Sequence, residues 1–244
     1  MNRRQTNRIR TVLEDWVPPV LRDSGAFRWL AKRAWGEHID HLADFRARAP
    51  FLTDAEYKQL YEHHPRVHEG TDNSEACIAR MAEDVVGASV IDIGCGTGEL
   101  LRRLKDRCEG PTRWVGVDFA INDADALPGI EFVAAKVESL PFPDNSFDTV
   151  ICTHVVEHVL EPKKAIAELR RICARRLIIV VPREREYRYT LNPHFNFFPY
   201  THSFLRTAHP VPETFVCEDI QRDIYYREDV VATSEPALPL KLAS

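Results

Sequence analysis

Val90-Ile91-Asp92-Ile93-Gly94-Cys95-Gly96-Thr97-Gly98-Glu99-Leu100 is an apolar run that breaks into three alternating glycines and then into a helix-compatible segment. Glycine lets a chain turn sharply at the carboxyl end of a strand and brings the backbone close to a ligand, because no side chain stands in the way. The pattern therefore marks a nucleotide-type site. Its spacing narrows the ligand. A dinucleotide fingerprint needs G-x-G-x-x-G or A, and counted from Gly94 the third small residue falls on Glu99.

Reading outward, the next strand-like run, Trp114-Val115-Gly116-Val117, ends in Asp118, 22 residues after Gly96. A carboxylate there can accept both hydroxyls of a ribose. The stretch Glu138-Ser139-Leu140-Pro141-Phe142-Pro143-Asp144-Asn145-Ser146-Phe147-Asp148 leads into the apolar strand Thr149-Val150-Ile151-Cys152. His154-Val155-Val156-Glu157-His158-Val159 follows it.

In order and spacing, residues 88 to 182 resemble the class I S-adenosylmethionine (SAM)-dependent methyltransferases, in the branch with ubiquinone-type and many sugar and natural-product enzymes. The resemblance implies an α/β, Rossmann-like fold with a mostly parallel sheet and an antiparallel edge. It also implies SAM as cofactor. On that reading Asp92 orders the loop, and Gly94, Cys95, Gly96 and Gly98 border the methionine and ribose. Asp118 holds the ribose, Phe119 packs on adenine, and His154 joins the cofactor contacts. The family often has an acid and a small residue after the third strand, where this chain has Lys136-Val137. Lysine only donates hydrogen bonds. Either Val137 and Glu138 bind adenine, or Lys136 turns outward and affinity falls.

The segment His154-x-x-Glu157-His158 admits three readings. As H-x-x-E-H it matches the inverted zinc-peptidase signature, but its place directly after a core strand argues against peptidase chemistry. In many relatives the Glu-His pair is structural or lines the methionine site. In a few it supplies ligands for a divalent metal, and Glu157, His158 and His194 are the candidate set here, with His154, Glu157 and His158 expected on one helical face. If no metal is present, His158, His194 and His202 are candidate bases, since histidine titrates near working pH.

The chain of 244 residues suffices for one α/β domain with additions. The expected division is a helical extension over 1–84, a methyltransferase domain over 85–231 with a substrate-side insertion at 183–212, and a loose tail over 232–244. Strands are predicted near 89–93, 113–117, 130–134, 147–152 and 176–181, helices near 97–107 and 162–174, and a hairpin over 214–227. Helical spacing also recurs near 55–61. The link from Asp118 to Ile130 is too short for a full crossover helix. The insertion is dense in His194, Phe195, Phe197, Phe198, Tyr200, His202, Phe204 and His209.

Charge and cysteines bound the partners. The net charge of −5 argues against nucleic acid. Residues 1–36, however, carry a net +5 with Trp16, Trp29 and Trp35 interleaved, a pattern of a peripheral membrane contact, a partner surface or aromatics packing the extension onto the core. Cysteines 77, 95, 108, 152, 173 and 217 include no C-x-x-C pair and read as reduced thiols, with Cys173 placed in a helix. The N-terminus shows no signal-peptide pattern, so a cytoplasmic protein is expected. The sequence reading is a SAM-dependent methyltransferase acting on a small or lipid- or carrier-linked acceptor, with oxygen favoured. Two rivals are a degenerate SAM-binding partner subunit and a metal-assisted RNA 2′-O-methyltransferase.

Overall fold

The protein, seen as a computed structural model, is described over residues 11–36, 46–53, 55–56, 70–121, 127–186, 188 and 193–230. The rest of the expected helix at 55–61, the middle of the short link at 122–126 and the tail at 232–244 lie outside these residues.

Seven strands form one sheet: β1 (Ser89–Ile93), β2 (Arg113–Asp118), β3 (Glu131–Ala134), β4 (Phe147–Thr153), β5 (Cys173–Pro182), β6 (Phe215–Ile220) and β7 (Asp223–Asp229), in the spatial order β3-β2-β1-β4-β5-β7-β6. The first five run parallel, and β7 pairs antiparallel with both β5 and β6. Only β7 is therefore reversed. The edge strand β6 runs with the others, so the hairpin contributes one antiparallel strand rather than two.

Side chains that alternate along the strands sort into two cores. Ile91, Ile93, Val150 and Cys152 pack under α5 (Pro162–Ile172) and α6 (Thr201–Ala208), while Val90, Ile151 and Ile178 pack under α3 (Glu75–Asp84) and α4 (Glu99–Lys105). Helix α5 shows why it lies down on the sheet: Ala165, Ile166, Leu169 and Ile172 form one apolar stripe, with Lys and Arg around the remainder. The order reverses between β1 and β4. At such a switch point ligands of open α/β sheets bind beyond the carboxyl ends of the strands.

Local chemistry moves several expected boundaries. Helix α4 begins at Glu99, because Gly98 is left-handed at φ 75° and caps it. Helix α5 ends at Ile172 and β5 starts at the next residue, which puts Cys173 in a strand and not in a helix. The residues after β4 do not make the expected helical face: His154 is left-handed at φ 56°, and only Val156–His158 form a single tight turn.

Before the sheet come α1 (Pro19–Arg22) and α2 (Gly25–Trp35), the second capped by the Ser24 hydroxyl accepting from Phe27 N. Asp23 accepts from Arg188 N, and Arg222 donates to the Thr11 hydroxyl, so this extension touches the insertion and the β6–β7 turn. Trp16 and Trp29 do not pack onto the core. They are exposed, together with Val20, Leu21 and Leu30. No helix of the described residues is long and apolar enough to cross a membrane.

Candidate functional site

The glycine loop sits at the carboxyl ends of β1 and β2. Gly94 N and Cys95 N both donate to Val117 O at 2.7 and 3.0 Å, Gly98 N donates to Cys95 O at 2.9 Å, and Gly96 N donates to Asp118 Oδ2 at 2.9 Å. Four of the loop's N–H groups, those of residues 94, 95, 96 and 98, are thus already used within the protein. This loop is built unlike a pyrophosphate cradle, whose N–H groups point at the ligand. Asp118 Oδ1 also accepts from Ala120 N at 3.2 Å. Each oxygen keeps acceptor capacity, since a carboxylate offers about four lone-pair sites.

The glycines have separate reasons. A Cβ on Gly94 would overlap Val155 Cγ2, and one on Gly98 would meet Phe132 Cζ at 2.7 Å. Both are required by packing as well as by positive φ. Gly96, at φ 54°, remains the member that faces a ligand by expectation. Cys95 is buried with its thiol against Gly116, so it offers backbone only.

Asp92 corrects the sequence reading. It makes no hydrogen bond to the loop; the loop is tied by Asp118 and Val117 instead. Asp92 is 1% exposed, and its Oδ1 has no partner. Burial pushes its carboxyl up to about 8, and the Asp118 carboxylate adds to the effect. A cationic ligand would relieve both penalties. SAM carries such a charge on its sulfonium, and the donor-poor, doubly acidic loop fits it. Of the adenine-side candidates, Phe119 and Glu138 are half-buried, Val137 is buried in the core, and Lys136 is exposed, bridging antiparallel to Ser139. Lys136 therefore takes the outward alternative.

A second group of side chains gathers beyond β4 and β5. Backbone bonds carry the insertion there: Phe195 N and Asn196 N donate to Glu157 O at 2.7 and 3.1 Å, while Asn196 Nδ2 donates to Val156 O and Val159 O. His158 and His194 consequently meet edge to face, with ring centroids 4.6 Å apart. His158 Nδ1 lies 3.1 Å from Pro193 O and His194 Nδ1 lies 2.6 Å from Glu184 Oε2. Both partners accept from a ring N–H, so both rings carry hydrogen on Nδ1 and turn Nε2 to the opposite side.

Glu157, 1% exposed, sets its Oε1 3.6 Å from His154 Nδ1 and 3.9 Å from His158 Nε2, and its Oε2 has no partner. Burial opposes ionisation, yet His154, His158 and His194 outweigh it and hold the carboxyl below its usual range. Burial also opposes charge on His154, where Glu157, Asp223 and Asp72 prevail and raise it. On His158 burial wins: reinforced by His194, it pushes the imidazole down to about 4. One ligand atom each from Glu157, His158 and His194 lie within 4.8 Å of one another.

Not every candidate joins. His202 is exposed on α6 and stacked on Tyr200 at 5.1 Å, because the helix turns it outward. Sequence reasoning missed Glu184, Asn196 and Asn73, whose Nδ2 donates to Thr153 Oγ1 at 2.9 Å at the end of β4. The signal for Glu184 was faint: one of two acids, with Glu186, just past an apolar strand and ten residues before His194.

Known proteins resemble part of this chain. Residues 91–181 match a methyltransferase-domain family. A demethylmenaquinone methyltransferase of Renibacterium salmoninarum is 36% identical over 101 residues, which are 38% of this chain and 41% of that protein. The ubiquinone/menaquinone biosynthesis C-methyltransferase UbiE of Hahella chejuensis is 32% identical over 158 residues, 59% of this chain and 60% of that one. The chain thus spans about two-fifths to three-fifths of these relatives' length. A solved SAM-dependent methyltransferase from Aquifex aeolicus superposes with a TM-score of 0.47 at 16% identity, covering 72% of this chain and 98% of that one.

Proposed function

We propose, from the match of residues 91–181 to a methyltransferase-domain family, that this protein is a SAM-dependent methyltransferase that methylates a small or carrier-linked acceptor through an ionisable hydroxyl. The observation that carries the reading is the pairing of Asp92 and Asp118 over a loop in which the N–H groups of 94, 95, 96 and 98 are already bonded. When bound, SAM supplies an electrophilic methyl, whose carbon takes the acceptor's electron pair while the C–S pair stays on sulfur. Asp118 would hold the ribose, Asp92 would face the positive charge, and the Val137 backbone and the Glu138 side chain would border adenine.

The protein's share of such an in-line displacement is alignment and removal of the acceptor's proton. The groups at hand beyond the ends of β4 and β5 are Glu157 Oε2 and the Nε2 atoms of His158 and His194, which can act on that proton either directly or by holding a cation that acidifies the hydroxyl. His202 stands apart from them, exposed on α6. Relatives named as quinone C-methyltransferases favour a second reading, transfer to a ring carbon. Both need the same hydroxyl ionised, since a phenolate is nucleophilic at oxygen and at the adjacent carbons. The exposed Trp16, Val20, Leu21, Trp29 and Leu30 lie in one stretch of the chain with Arg28 and Arg33, an apolar and basic composition suited to a lipid-borne acceptor.

The test is incubation with SAM carrying a 13C methyl and a panel of hydroxylated aromatic and carrier-linked acceptors. A product one methyl heavier is expected, with its 13C shift assigning oxygen or carbon. SAM binding without transfer to any acceptor would favour the partner-subunit rival, and absence of SAM binding would end the proposal.

A further inference from the structure

We propose that the Glu157–His158–His194 cluster binds one first-row transition divalent cation, of the Zn2+ or Co2+ type, which holds and acidifies the acceptor hydroxyl. Three observations support it independently of the glycine loop. First, the three ligand atoms come from two distant segments and lie within 4.8 Å of one another. A tetrahedral cation needs ligand atoms about 3.4 Å apart, so a closure of about 1 Å completes it.

Second, each imidazole has its Nδ1 hydrogen bonded outward, His158 to Pro193 O and His194 to the carboxylate of Glu184, which is 1% exposed. That is the outer-sphere arrangement that fixes the ring and aims the Nε2 lone pair at a metal. Third, Glu157 Oε2 is buried without a hydrogen-bond partner. A buried carboxylate oxygen left bare is costly, and a cation between it and the imidazoles removes the cost.

The donor set selects the metal. Two imidazole nitrogens and one carboxylate suit Zn2+, Co2+ or Fe2+, whereas Mg2+ and Ca2+ prefer oxygen throughout. Three protein ligands leave a position for the acceptor oxygen. Bound there, a hydroxyl loses its proton to solvent more readily, and Glu157, His158 and His194 serve as ligands rather than as bases. Glu184 is a positioning residue. The role in transfer rests on the methyl-transfer reading; the binding itself does not.

The experiment is titration of metal-stripped full chain with Co2+, followed by visible d–d absorption, with SAM calorimetry on the same samples. One equivalent of Co2+, displaced by Zn2+ but not by millimolar Mg2+, is expected. His194→Ala and His158→Ala should each abolish the spectrum while keeping SAM affinity, which shows that they are folded. Glu184→Gln should weaken Co2+ by about ten- to a hundredfold. No binding by the parent, or an unchanged spectrum in either histidine variant, overturns the proposal. Cobalt binding without SAM binding would instead overturn the methyl-transfer reading and leave the metal site standing.

Discussion

Replacing Asp92 by asparagine tests the electrostatics of the cofactor loop directly. With its carboxyl near 8 in the free protein, Asp92 carries about 0.9 of a proton at pH 7. A ligand with a fixed positive charge beside it favours the carboxylate. If the ligand draws the carboxyl below about 6, occupancy falls to about 0.1, and about 0.8 of a proton is released per SAM bound. Calorimetry of SAM binding at pH 7, in two buffers of different ionisation enthalpy, reads this number as a slope. Asp92→Asn should bind more weakly and release almost none. The same group makes a stability prediction. Its folded value lies above its unfolded value of 3.8, so the folded state holds the extra proton between them. The increment is full below about pH 4 and is lost as pH rises towards about 8. Thermal unfolding of the free protein should show this falling component, and Asp92→Asn should lack it. Equal proton release by parent and variant would refute the placement of positive charge at Asp92.

Asp118→Ala removes the acceptor for Gly96 N and Ala120 N together with the expected ribose contacts. Loss of a charge-assisted pair costs about 1.5 to 3 kcal/mol, so SAM affinity should fall by about ten- to more than a hundredfold in calorimetry; unchanged affinity would refute the assignment. Gly96→Val should abolish SAM binding while circular dichroism stays that of the parent. Gly94→Ala should instead lower the melting temperature, and Val155→Ala in the same chain should recover part of the loss, because the added Cβ meets Val155. Absence of that recovery would place the strain elsewhere.

The sequence alone determined what depends on neighbours along the chain. Alternating apolar runs and amphipathic segments dictate a parallel α/β sheet, since each periodicity is a local property of where side chains point. The loop between β1 and α4 was legible for the same reason: three glycines at fixed offsets and Asp118 at the next strand end are a local pattern. Even there the reading of Asp92 as the loop's tie was wrong, because hydrogen-bond partners are chosen across strands and Asp118 reached Gly96 first. Tertiary structure decided the second site. His194 lies 36 residues from His158 in sequence and meets it only because Phe195, Asn196 and Pro193 hydrogen-bond to the turn after β4. Glu184 is paired to His194 across a loop closed at Arg183 and Phe198. His202 was an equal candidate by composition and is turned to solvent by α6. Such choices depend on long-range packing of segments whose periodicity is irregular, and no spacing along the chain records which histidine the fold turns inward.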